Sequence, residues 1–143
     1  MFKIFLSLAI LLQGNQIFNP SNVPVARQKI GEVEYTKIYA EKLFEEYELE
    51  YQLPDGRRVD ILTKTHAFES EWIYKFNEAI GQSLGYALST NKNPGILILY
   101  KNGYDEQYNQ LLTVVTSLRD HGYKINLIII NVDNGKIWNA LPN

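Results

Sequence analysis

Apolar positions along the chain change period several times, and each change marks an element. Around Gly31 to Glu46, residues Ile30, Val33, Tyr39, Ala40, Leu43 and Phe44 fall on one broad stripe at about 100° per residue, which predicts an amphipathic helix. Tyr47 to Leu53 alternates and predicts a strand. Pro54-Asp55-Gly56 is a tight-turn signal, because proline presets φ and glycine accepts positive φ. Arg57 to Thr63 then predicts the returning strand of a hairpin. Thr65 to Ser70 predicts a third short strand, Ile73 to Leu88 a helix, and Thr90 to Gly95 a polar turn. Ile96 to Tyr100 is an uninterrupted apolar run, the pattern of a strand covered on both faces. Gln107 to Asp120 predicts a helix with Leu111, Leu112, Val115 and Leu118 inward and Gly122 closing it. Ile125 to Val132 predicts another buried strand, Asp133-Asn134-Gly135 a turn, and Lys136 to Trp138 a short final strand.

The order is α-β-β-β-α-β-α-β. Alternation in its second half implies parallel pairing and the first half is a meander, so the fold class is α/β, one mixed central sheet flanked by helices. The amino terminus stands apart. Lys3 precedes an apolar run from Ile4 to Leu12 broken only by Ser7, the layout of a secretory signal peptide. The run falls short of the roughly 20 apolar residues a membrane span needs, so no stable membrane insertion is expected. Residues 1–18 are read as that leader, 19–29, with Pro20 and Pro24, as a linker, and 30–143 as a single folded domain. Export to the periplasm or medium is the expectation. A misassigned start or an amphipathic arm, with a cytoplasmic location, is the alternative.

Composition narrows the chemistry. The chain has 143 residues, 45% hydrophobic, with 10 Tyr and 6 Phe, enough for a core and too apolar for a disordered chain. The net charge of −2 gives no broad basic field for nucleic acid, although a metal site would supply its own positive charge. Cysteine is absent, which excludes disulfides, thiolate metal sites and a Cys nucleophile. His66 and His121 are the only histidines, which excludes a His-rich zinc site. Any metal must be held by oxygen, which suits Mg2+ or Mn2+.

Oxygen donors of that kind cluster in one stretch. Asp60 lies within the second predicted strand and points away from the face of Val59 and Ile61. Glu69 and Glu71, at the end of the third, share a face because the strand period is two. Acids on neighbouring strands can converge on one divalent ion, which polarises a phosphate and activates a water. The run PDGRRVDILTKTHAFESEW, followed by YKFNEAIGQSLGYA, resembles the PD-(D/E)xK nuclease superfamily, and the likeness spans roughly residues 31–130. Asp60 matches that family's Asp and Glu69 its (D/E). The family's lysine position holds Glu71 instead, a departure, and Lys75 on the following helix is the candidate for a relocated lysine. Gln82 and Tyr86 match the Gln-x-x-x-Tyr pattern carried by many branches. Lys75, Glu78, Gln82 and Tyr86 are spaced to form one polar helix stripe, aimed at the site or at solvent. For the acid expected on the first helix, Glu32 lies nearer the inward stripe than Glu34; both also suit a helix N-terminus.

The resemblance implies a restriction-endonuclease-like fold. It also implies Mg2+ or Mn2+ held by Asp60, Glu69 and the Ser70 carbonyl with help from Glu32, Lys75 stabilising charge, and Gln82 and Tyr86 positioning metal or substrate. The implied activity is hydrolysis of phosphodiester bonds in nucleic acid, DNA before RNA, and a homodimer is compatible with the family. With Glu71 in the lysine position, a catalytically inactive binding or interaction module of the same fold is the alternative. Other residues take plainer readings. Arg57 and Arg58 either touch phosphate or guard a strand edge, and Glu71 either extends the metal site or is solvated. His66 is a turn residue, Trp72 and Trp138 are core, Gly81 and Gly85 permit close helix packing, and LFEEYELE is a solvated acidic run.

Overall fold

The computed structural model describes residues 30–141. The predicted leader and linker, and with them the export expectation, lie outside the described residues. Three helices, α1 (Glu32–Leu43), α2 (Phe76–Thr90) and α3 (Asp105–Asp120), accompany six strands. The strands are β1 (Tyr47–Gln52), β2 (Arg58–Thr63), β3 (His66–Trp72), β4 (Asn93–Tyr100), β5 (Asn126–Asn131) and β6 (Ile137–Asn139). They form one mixed sheet in sequence order. Strands β1, β2 and β3 pair antiparallel, β3, β4 and β5 pair parallel, and β6 returns antiparallel on β5. The meander and the alternating half meet at β3, where an antiparallel neighbour flanks one side and a parallel neighbour the other. Among the described residues no helix is long and apolar enough to cross a membrane.

Alternation along β4 and β5 divides the core between two layers. Ile96, Ile98 and Tyr100 of β4, with Leu127 and Ile129 of β5, pack with Ile73, Phe76, Ala79 and Ile80 at α2 and Leu111 and Val115 of α3. Leu97, Leu99, Ile128 and Ile130 pack on the other face with Tyr39 and Ala40 of α1 and with Ile61 and Phe68. Both faces of the parallel strands are thus covered, as the uninterrupted apolar runs require.

Several boundaries differ from expectation for local reasons. Helix α1 stops at Leu43, where Phe44 turns extended and its ring packs 5.0 Å from Phe68. The segment expected to open the second helix is a separate 3-10 turn, Ile73–Lys75, so Lys75 is not in phase with α2. Strand β3 runs on to Trp72, and β4 starts earlier, taking in Pro94 and Gly95. Pro94 is tolerated because β5 joins the ladder only from Gly95 onward. Gly95 sits opposite Phe68, and a Cβ there would overlap the Phe68 ring. Gly95→Ala is accordingly expected to lower stability by about 1–3 kcal/mol, the usual cost of overpacking a core, read as a shift in the denaturation midpoint. The close packing expected at Gly81 is not found, since a Cβ there would meet open space; at Gly85 a Cβ would come within 3.1 Å of the Arg57 guanidinium, so that approach is close.

Candidate active site

The site follows from the register of β3. Side chains at Phe68, Ser70 and Trp72 turn toward α1, so Glu69 and Glu71 turn toward α2, level with Ile96 and Ile98 of β4. Two carboxylates therefore occupy positions in a row that is otherwise apolar, and both are buried. One step along the ladder from Ile61–Phe68, β2 brings Asp60 opposite Glu69. The Ser70 amide donates to Asp60 Oδ2 at 2.8 Å and fixes that carboxyl. The Ser70 hydroxyl is held from behind by Thr36 Oγ1 of α1 at 2.7 Å. Thr36 also donates to the Glu32 carbonyl at 2.8 Å, so the first turn of α1 is tied to the middle of β3.

The carboxyls come together as two pairs. Asp60 and Glu69 are in side-chain hydrogen-bond contact, and so are Glu32 and Glu71. Burial first, then the charge of Asp60 and its hydrogen bond, push Glu69 up to about 9. Burial likewise raises Asp60 to about 6, against the lowering pull of the Ser70 amide. Glu32 is driven to about 8 by burial and by its contact with Glu71. Glu71 accepts from the Trp72 amide at 2.9 Å and faces the Lys75 ammonium at 3.7 Å. Glu69 Oε2 is buried and has no hydrogen-bond partner. A buried carboxylate oxygen with nothing to accept from is costly, and in native proteins it marks a site held for something else.

The remaining candidates divide. Tyr86 is buried over the pair, and its hydroxyl donates to Gln82 Oε1 at 3.1 Å. Burial, then the charges of Glu69 and Asp60, push Tyr86 up to about 12. Gln82 is exposed and reaches the centre through Tyr86. Lys75 is half-exposed, and the charge of Glu71 holds its ammonium firmly protonated. The proposed polar stripe is split, with Glu78 in solvent and Tyr86 inside. Glu34 is exposed, so Glu32 is the acid that α1 brings to the site. Glu71 is not a solvated charge; it joins the group.

Two contributors were not singled out by sequence. Thr36 reads as one more residue of a helix. Glu50 was absorbed into the acidic run, yet its charge helps raise Asp60. Its signal was present: a hairpin centred on Asp55 sets Glu50 opposite Asp60, between the Leu49–Ile61 and Tyr51–Val59 pairs. Glu50 adopts φ 53, a strained left-handed conformation inside a strand, and pairs with Arg58 at 2.9 Å. The Arg57 guanidinium lies 5.8 Å from the centre of the Tyr86 ring. It is bound by Asp55 and donates to Ser89 Oγ at 2.8 Å, clasping the hairpin to α2. His66 opens β3, beyond the turn expected of it.

No family model, curated protein or solved structure matches the chain.

Proposed function

We propose that the protein is a metal-dependent phosphodiesterase acting on nucleic acid, DNA before RNA, built on the restriction-endonuclease-like plan that its motifs resemble. The observation that carries this reading is the close pairing of buried Glu69 with Asp60, together with a Glu69 Oε2 that no donor reaches. Two carboxyls forced together in a strand row of isoleucines are a poor structural choice and a good anion pair for a cation. Among the described residues, no three His, Asp or Glu side chains already stand as a metal cage. Asp60 and Glu69 suffice in kind for Mg2+ or Mn2+, since Mg2+ is ordinarily held by one or two carboxylates with water and substrate phosphate completing its shell.

In this reading Asp60 and Glu69 hold the ion, with the Ser70 carbonyl and Glu32 as assisting donors. A divalent ion bound there would neutralise phosphate charge and lower the pKa of a water. Lys75 keeps a positive charge at the rim, where it can face a developing phosphate anion. The Ser70 amide orients Asp60, the Tyr86 ring excludes water above the pair, and Gln82 orients Tyr86.

A second reading is favoured by one specific observation: Glu71 stands where the resembled family has its lysine, and Lys75 is engaged with it rather than free. The same fold would then bind without cutting. Incubation of the full chain with linear, circular and branched DNA and with RNA, in Mg2+, Mn2+ or EDTA, separates the two. The phosphodiesterase reading expects cleavage in either metal and none in EDTA. No cleavage of any substrate, together with no Mg2+ or Mn2+ binding by calorimetry, defeats it.

A further inference from the structure

At the carboxyl end of β3, next to Glu71 in sequence, one ring stands outside both core layers, among aromatic neighbours that pack against them. Tyr74, in the 3-10 turn between Glu71 and α2, is 50% exposed and belongs to neither core layer. Its ring lies parallel to that of Trp72, 5° between planes and 6.3 Å between centroids. On another side Tyr104 meets it at 5.8 Å with a 40° tilt. Trp72 is anchored in turn by the edge of Tyr35 on α1, 5.7 Å away and nearly perpendicular. The Lys101 ammonium stands 4.8 Å from the Trp72 ring centroid. Trp72 is half-buried and packs against the α1-side core as expected, while its ring also runs parallel to the exposed Tyr74.

The place of these rings is as telling as their stacking. Trp72 ends β3 and Lys101 follows the end of β4, so the rings crown the carboxyl ends of two parallel strands. Ligands of open α/β sheets bind at that edge. The Trp72 amide is itself a hydrogen-bond donor to Glu71, so the platform and the carboxyl group share a backbone. A lysine stands on each side: Lys75, one residue after Tyr74, and Lys101 against Trp72. An exposed ring held flat by two neighbours loses little freedom on binding, and paired lysines complement phosphates rather than an apolar partner.

We infer that Tyr74, backed by Trp72 and flanked by Lys75 and Lys101, is a stacking platform for a base of single-stranded nucleic acid entering the carboxyl site. The choice of ligand rests on the phosphodiesterase reading, and it narrows the substrate to unpaired segments: overhangs, frayed ends or single strands. Every base has a π face, so the platform is tolerant of sequence. The bases of a blunt duplex are stacked on each other and cannot offer one.

The test is binding in EDTA, where nothing is cut. Labelled dT and rU 12-mers and a blunt DNA hairpin are titrated with the full chain, and fluorescence anisotropy is read. Both single strands are expected to bind, and the hairpin at least about tenfold more weakly. Tyr74→Ala is expected to weaken single-strand binding about tenfold or more, Tyr74→Phe to leave it nearly unchanged, and Lys101→Ala to flatten its salt dependence. Equal binding of hairpin and single strand, unchanged binding by Tyr74→Ala, or no binding of either single strand overturns the inference. The two readings fail separately: binding as described without cleavage in metal removes the activity alone, whereas metal-dependent cleavage with Tyr74→Ala binding like wild type removes the platform alone.

Discussion

Asp60→Ala is expected to reduce Mg2+-dependent cleavage by about a thousandfold or more while leaving a folded protein. Metal charge stabilisation contributes several kcal/mol to such a reaction, and each 1.36 kcal/mol is tenfold in rate. Asp60 is placed to contribute by two independent constraints: the β2–β3 register, which sets it opposite Glu69, and the Ser70 amide, which fixes one of its oxygens. Folding survives because the losses are small and partly compensated. The substitution removes the acceptor of the Ser70 amide, a cost of about 1–3 kcal/mol if that donor stays buried. It also relieves repulsion from Glu50 and Glu71, and removes the hydrogen-bond contact with Glu69. Asp60→Asn keeps an acceptor for Ser70 and removes the charge, so it should be equally inactive and still closer to wild type in stability. Circular dichroism and a thermal melt establish folding, and single-turnover cleavage gives the rate. Wild-type cleavage by either variant would remove Asp60 from the chemistry.

Glu69→Gln should make the metal-free protein more stable, not less. Glu69 is pushed from 4.5 to about 9 in the folded chain, chiefly by burial and then by Asp60. The folded state therefore keeps a proton that the unfolded chain releases. The stability this confers is complete below about pH 4.5 and is lost as pH rises through the folded value of about 9. Glutamine supplies the neutral form at every pH at nearly the same volume. In EDTA at pH 8 the variant is expected to gain about 1–2 kcal/mol, and about 4–8 °C in Tm for each kcal/mol in a domain of this size. Near pH 5 the two proteins should converge. Mg2+ should then raise the Tm of wild type at pH 8 and leave the variant where it was. A variant that melts below wild type at pH 8 in EDTA would show that Glu69 is a satisfied structural residue rather than a strained ligand. A gain in stability at pH 8 is the expected signature of a site that sacrifices stability for binding.

Much of the fold was legible because apolar runs and turn residues dominate it. The stretches Ile96 to Tyr100 and Ile125 to Val132 could be little else than covered strands, and both are. The Pro54-Asp55-Gly56 signal placed the hairpin, with Gly56 at φ 89. Boundaries failed where tertiary packing decided them. Phe44 left its helix to reach Phe68, and Pro94 and Gly95 were drawn into β4 by its pairing with β3. The site was legible in its acids: Asp60 and Glu69 do meet, and α1 brings Glu32 in reach of Glu71. It was less legible in its second half. A helical stripe from Lys75 to Tyr86 assumed one continuous helix, and the 3-10 turn broke its phase. Glu50, inside an acidic run, and Tyr74, an isolated tyrosine, carry no mark of the site in their sequence neighbours. Their roles depend on a hairpin register and on rings brought from other elements.

The division of labour along β3 constrains how this chain can change. Phe68, Ser70 and Trp72 face one helix layer, while Ala67, Glu69 and Glu71 face the other. Chemistry and packing are thus interleaved residue by residue on a single strand. Individual polar letters on the α2 face can be exchanged without moving the apolar letters that hold the sheet. Length cannot be exchanged in the same way. One residue inserted between Ala67 and Phe68 would turn Glu69 and Glu71 into the α1 layer and Phe68 into the α2 layer. Divergence of this protein is therefore free to proceed by substitution along β3, while additions and losses of residues are confined to turns such as Asp133–Gly135, which lie outside both layers.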